Sequence, residues 1–91
     1  MLVGRLDPHN EIEPDIDLTS RDKNNTVSRR HAEVSLYREG LFVEDLDSLN
    51  GTYVDGKRLA PGEPKSLNMG NSVRFGAVEM AVHEILEFFP K

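Results

Sequence analysis

The sequence predicts an all-β fold, a β-sandwich of short antiparallel strands, on three observations. Apolar residues alternate with polar ones in short runs. Turn-forming residues recur about every eight to twelve positions, the spacing of sandwich strands. No stretch sustains the period of an amphipathic helix.

Each element follows from these signals in order. Met1-Leu2-Val3 opens as a strand that runs into Gly4-Arg5. Asp7-Pro8-His9-Asn10 and Glu13-Pro14 bracket a loop before a short strand at Ile16-Asp17-Leu18, and Thr19 to Thr26 is polar and loop-like. Ala32, Val34 and Leu36 then alternate with Glu33, Ser35 and Tyr37, Arg38-Glu39-Gly40 interrupts, and Leu41 to Leu46 returns, which is a hairpin. A second hairpin joins Thr52-Tyr53-Val54 to Lys57-Arg58-Leu59 through Asp55-Gly56, a dipeptide suited to the positive φ of a tight primed turn. Pro61-Gly62 and Pro64 mark a loop, Lys65 to Leu67 a strand, Asn68-Met69-Gly70-Asn71 a turn, and Ser72 to Phe75 another strand. After Gly76-Ala77, a final strand alternates Val78, Met80 and Val82 with Glu79, Ala81 and His83, and the segment from Leu86 onward finds no partner in the pattern. With no repeat or linker, residues 1–86 read as one domain and 87–91 as a C-terminal tail.

Composition narrows the function. A 91-residue domain buries only about 60–65% of its unfolded surface, so the core is modest. Sixteen acidic against eleven basic residues give a net charge of -5, which argues against nucleic acid, whose binding rests on clustered Lys and Arg. Mean hydropathy is -0.49, and no apolar run reaches the ~18 residues of a membrane span. Met1-Leu2-Val3 carries no signal-peptide core, so no membrane partner is expected. The absence of cysteine excludes disulfides and thiolate metal sites and fits a reducing compartment, so the expected location is cytoplasmic. His9 and His83 lack partners at metal-ligand spacing, so neither a metal nor a cofactor is implied.

Against this acidic background, cationic character is local. Val27-Ser28-Arg29-Arg30-His31-Ala32 and Asp45-Leu46-Asp47-Ser48-Leu49-Asn50-Gly51-Thr52, backed by Gly4-Arg5, form polar blocks beside turns. Arg5 follows the first strand and the other two blocks lie in inter-strand loops, so all three can meet at one pole of a sandwich. Arginine offers a planar fork for phosphate oxygens, and a serine hydroxyl or backbone amide donates a further bond. The Asn50 amide both donates and accepts, which suits a peptide backbone. Taken singly, each block has a plainer account. Loop arginines are commonly solvated charges, Asn50-Gly51 alone is a hairpin turn, and Thr52 is a strand residue. Ser28, His31 and Asp45 are triad residue types, but no nucleophile elbow or oxyanion-hole signature accompanies them, so no enzyme is expected. Asn24-Asn25-Thr26 and Asn50-Gly51-Thr52 match the glycosylation sequon, which carries no meaning without a secretory signal.

Order and spacing of Gly4-Arg5, Ser28-Arg29-Arg30-His31, Asp45 through Asn50-Gly51-Thr52-Tyr53-Val54, Gly70 and Phe75-Gly76 resemble the forkhead-associated (FHA) domain family, in its bacterial form. The resemblance runs from Gly4 to about Ile85 and implies a β-sandwich that binds phosphothreonine peptides. It places Arg5, Ser28, Arg29 and Arg30 on the phosphate, with Arg30 preferred over Arg29, and Asn50 on the peptide backbone. Gly4, His31, Ser48, Gly51 and Thr52 are supporting residues. Leu49 stands where many relatives carry Thr or Ser, so only its backbone amide is left to serve the phosphate. The implied partner is a phosphothreonine-containing protein, a Ser/Thr kinase substrate or the protein's own phosphorylated tail. In this family the Gly-Arg pair usually follows two earlier strands. The first two family strands are therefore expected to be lacking, which implies a fragment of a longer protein or a homodimer that completes its sheet with a partner chain. The competing function is a phosphate-independent interaction or self-association domain that uses an exposed sheet edge.

Overall fold

The computed structural model describes residues 1–38 and 40–90, so the expected turn residue Glu39 and the terminal Lys91 lie outside the described residues. Among the described residues nine strands form two sheets. The first holds β1 (Leu2–Gly4), β2 (Ile16–Asp17), β3 (Ala32–Tyr37), β4 (Gly40–Asp45) and β7 (Lys65–Leu67), in the order β2-β1-β3-β4-β7. The second holds β5 (Thr52–Val54), β6 (Lys57–Arg58), β8 (Ser72–Phe75) and β9 (Val78–Ala81), in the order β6-β5-β8-β9. All pairings are antiparallel except β1 with β2, where Val3 faces Ile16. β1 is thus an interior strand, flanked on both sides.

The alternation seen in the sequence is the burial pattern of the sheets. Val3, Ile16, Ala32, Val34 and Val43 from the first sheet meet Val73, Phe75 and Met80 from the second in one core. The Asp55-Gly56 turn has φ of 49° and 82°. Both central residues are therefore left-handed, the geometry of the expected primed turn, and glycine enters it without a Cβ penalty.

Two expectations are corrected at the C-terminus. The last strand stops at Ala81, and Val82–Leu86 form a short helix, α1. Ala81 keeps an extended backbone and its N–H donates to Glu84 Oε1 at 2.8 Å, which satisfies one of the donors a helix start leaves open. Val82 and Ile85 are buried, and Leu86 and Phe89 pack against the core. The segment beyond Leu86 therefore does have a partner. The polar loops also carry local order, as 3-10 turns at Pro8–Asn10 and Thr19–Arg21.

Chain direction assembles one pole. The end of β1, the start of β3 and the end of β4 are tied there by His31 N to Val3 O (2.9 Å) and Leu46 N to His31 O (3.0 Å), and His31 Nε2 reaches Gly51 O, just before β5, at 2.8 Å. Gly76 N donates to Gly51 O at 2.9 Å, which adds the loop after β8.

Candidate functional site

Close backbone approach at Gly4 begins the site. A Cβ there would fall 1.9 Å from Arg29 O and 2.8 Å from its carbonyl carbon, so only glycine lets β1 lie against the 28–29 backbone. Arg5 N then donates to Ser28 O (3.2 Å) and Arg29 O (3.3 Å). The Arg5 side chain, half-buried, is steadied by a 3.2 Å bond from Nε to Val27 O. This leaves its terminal guanidinium nitrogens for the cleft of about 500 Å³ lined by Arg5, Ile12, Ser28, Arg29 and Arg30.

The loop before β3 is held by two buried groups. Asp22 accepts from Thr26 N (2.9 Å), Thr26 Oγ1 (2.8 Å) and Val27 N (2.7 Å). Burial alone would raise its carboxyl pKa, but the Val27 and Thr26 bonds outweigh it and hold the carboxyl below its usual range, with Arg5 adding attraction. His31, fully buried, accepts from Ser28 N at Nδ1 (3.0 Å) and lies 2.8 Å through Nε2 from Gly51 O. Because Nδ1 accepts, Nε2 carries the proton and donates to Gly51 O. Burial pushes the His31 pKa down, against the opposing pull of the Gly51 carbonyl, Asp45 and Asp22. The imidazole meets Phe75 edge-on, 5.9 Å between centroids.

The loop between β4 and β5 turns on Asp45. Its carboxylate, 2% exposed, accepts from Ser48 N (3.1 Å), Ser48 Oγ (2.6 Å) and Thr52 Oγ1 (2.7 Å). Ser48 Oγ accepts in turn from Gly51 N at 3.0 Å. The Ser48 and Thr52 hydroxyls are therefore spent inside the protein. Leu49 projects its side chain outward, 83% exposed, and its N–H donates to Ser28 Oγ at 3.1 Å. Asn50 Nδ2 donates to Thr26 O at 2.9 Å, and among the described residues its Oδ1 and second amide hydrogen have no partner.

The structure thus brings Arg5, Ser28, Arg29 and Arg30 into one cleft and sets Leu49 and Asn50 beside it, but it does not treat the two adjacent arginines alike. Arg29 Nε pairs with Asp7 Oδ2 at 2.9 Å. Asp7 is itself buried, and the Asn10 side chain (2.7 Å) holds its carboxyl below the usual carboxylate range, with Arg29 assisting against desolvation. Among the described residues Arg30 makes no ion pair. Asp7, Ile12, Asp22 and Thr26 were not picked out from the sequence. Asp22 had a readable signal, an aspartate four and five residues before the amides it caps.

These elements define a β-sandwich whose loop pole is built to hold guanidinium and hydroxyl groups around an open cleft. The chain belongs to the FHA domain family, which matches residues 1–76. It is 35% identical over 69 residues to the protein FraH of Nostoc sp., an alignment covering 76% of this chain and 24% of FraH. Among solved structures it is similar to Mycobacterium tuberculosis EmbR in complex with a low-affinity phosphopeptide (29% identity, TM-score 0.69, 88% of this chain and 18% of that one). It is equally similar to an FHA domain from a structural and functional study of phosphothreonine-dependent FHA domain interactions (26% identity, TM-score 0.69, 88% and 71% covered). The chain spans about a quarter of the length of FraH.

Proposed function

We propose that the chain is a non-catalytic signalling module that binds phosphothreonine-containing segments of Ser/Thr kinase substrates. Arg5, Ser28 and Arg30 take the phosphate, and Asn50 bonds the ligand backbone. The arrangement at Ser28 carries this reading. Its oxygen already accepts from Leu49 N–H, so its own O–H hydrogen is free to donate to an anion between the guanidinium groups. Leu49 then acts on the phosphate through that hydroxyl. Arg30 is preferred as the third ligand because Arg29 is held by Asp7. Both His31 nitrogens are engaged, with the Ser28 backbone N–H and Gly51 O, which favours a brace over a base for a serine nucleophile.

Calorimetric titration with a phosphothreonine peptide and its unphosphorylated twin tests the reading. Only the phosphorylated form should bind, and Arg5→Ala should weaken it by about 2–5 kcal/mol, the cost of removing one partner from a desolvated charge pair. Equal binding of the two peptides would refute it.

A further inference from the structure

A second cationic feature lies near Gly51, and its two arginines belong to none of the blocks read from the sequence. On the second sheet, Val54, Val73, Thr52 and Phe75 face inward and are buried, so the alternate residues Tyr53 and Arg74 face outward. Tyr53 lies directly opposite Arg58 on one side and Arg74 on the other. The Arg74 guanidinium stacks 3.9 Å from the Tyr53 ring centroid, and that of Arg58 lies 6.0 Å from it.

Both arginines lean toward the loop pole. A Cβ added at Gly51, the residue after Asn50, would fall 2.7 Å from Arg58 Nε. Arg74 Nη1 donates to Gly76 O at 2.6 Å, and Gly76 N is bonded to Gly51 O. Stacking on an aromatic face orients a guanidinium without neutralising it and leaves its in-plane N–H donors available. Among the described residues neither arginine has a carboxylate partner. Glu79, opposite Arg74, instead receives the Ser72 hydroxyl.

Two oriented guanidinium groups with no carboxylate partner among the described residues, one against Gly51 and one bonded to Gly76 O, on a domain of net charge -5, call for a local anion. We infer that the Arg58–Tyr53–Arg74 row extends the phosphopeptide cleft and takes an acidic segment of the same ligand, next to the phosphothreonine. This inference rests on the phosphopeptide reading and names the ligand chemistry outside the phosphate.

The test compares a core phosphothreonine peptide with versions carrying three glutamates at its N-terminal or its C-terminal end, titrated into the wild-type domain, Arg58→Gln, and the Arg58→Gln/Arg74→Gln pair. The readout is the ratio of extended to core affinity, which cancels any change in phosphate binding. In the wild type one extension should bind about 2- to 30-fold tighter than the core, the sum of two exposed ion pairs, with a gain that shrinks as salt rises. The ratio should fall in Arg58→Gln, which removes an exposed side chain, and approach one in the double variant. A ratio of one for both extensions in the wild type, or a gain that survives in the double variant, overturns the acidic extension alone. Failure of the core peptide to bind the wild type overturns the phosphopeptide reading and the extension with it.

Discussion

Replacing His31 with leucine removes both ring nitrogens while keeping a buried apolar side chain of similar bulk. Ser28 N–H loses its partner, while Gly51 C=O keeps the bond from Gly76 N. An orphaned buried group costs about 1–3 kcal/mol. Loss of the edge contact with Phe75 adds about 0.5–1.5 kcal/mol. A domain of this length has about 5–14 kcal/mol in total, so the variant loses a sizeable share of its stability. With a urea slope of about 1.5 kcal/mol/M, a loss of 3 kcal/mol lowers the unfolding midpoint by about 2 M with the slope unchanged. Urea titration followed by circular dichroism reads this directly, and a midpoint shift under about 0.5 M would refute the assignment of His31 as the brace between the two loops. The same residue sets a pH signature. Its pKa is lowered in the folded state by burial, whereas in the unfolded chain it is about 6.5. Below that value the unfolded chain binds a proton that the folded one refuses. The stability His31 contributes is therefore complete above about pH 6.5 and declines as pH falls toward the folded-state pKa. His31→Leu should flatten that decline.

Other substitutions probe the remaining joints. Asp45→Asn puts an NH2 group where three donors converge, and should destabilise the domain by about 1–3 kcal/mol in the same urea titration; an unchanged midpoint would remove Asp45 as the hub of the 45–52 loop. Gly4→Ala drives a methyl group into the Arg29 carbonyl and should cost about 1–3 kcal/mol or more, with weakened phosphopeptide binding because Arg5 shifts with the backbone. Wild-type stability and affinity in that variant would contradict the close approach.

The strands were legible wherever an inward row and an outward row coincide with burial on one side only, as in Ala32–Tyr37 and Ser72–Phe75. The Asp55-Gly56 turn was legible because its chemistry is local. Helix α1 was not, because Val82 serves two periods at once. It continues the alternation of Val78 and Met80, and it also begins the set Val82, Ile85, Leu86 and Phe89, whose spacing of three, four and seven is helical. The polar blocks announced the cleft, but which arginine stays free depends on Asp7, 22 residues before Arg29 in the chain and joined to it only by the fold. The Arg58–Tyr53–Arg74 row was hidden for the same reason, since its three members come from three strands whose register no local pattern encodes.

Each of the chain's three threonines donates its hydroxyl to an aspartate: Thr19 to Asp17 (2.5 Å), Thr26 to Asp22 (2.8 Å) and Thr52 to Asp45 (2.7 Å). A phosphoryl group at any of them would exchange a donated hydrogen bond for a dianion set against a carboxylate. The folded domain therefore disfavours wearing on these residues the mark it is proposed to read, and a kinase that prepares its ligands can work in its presence without turning one copy into bait for another.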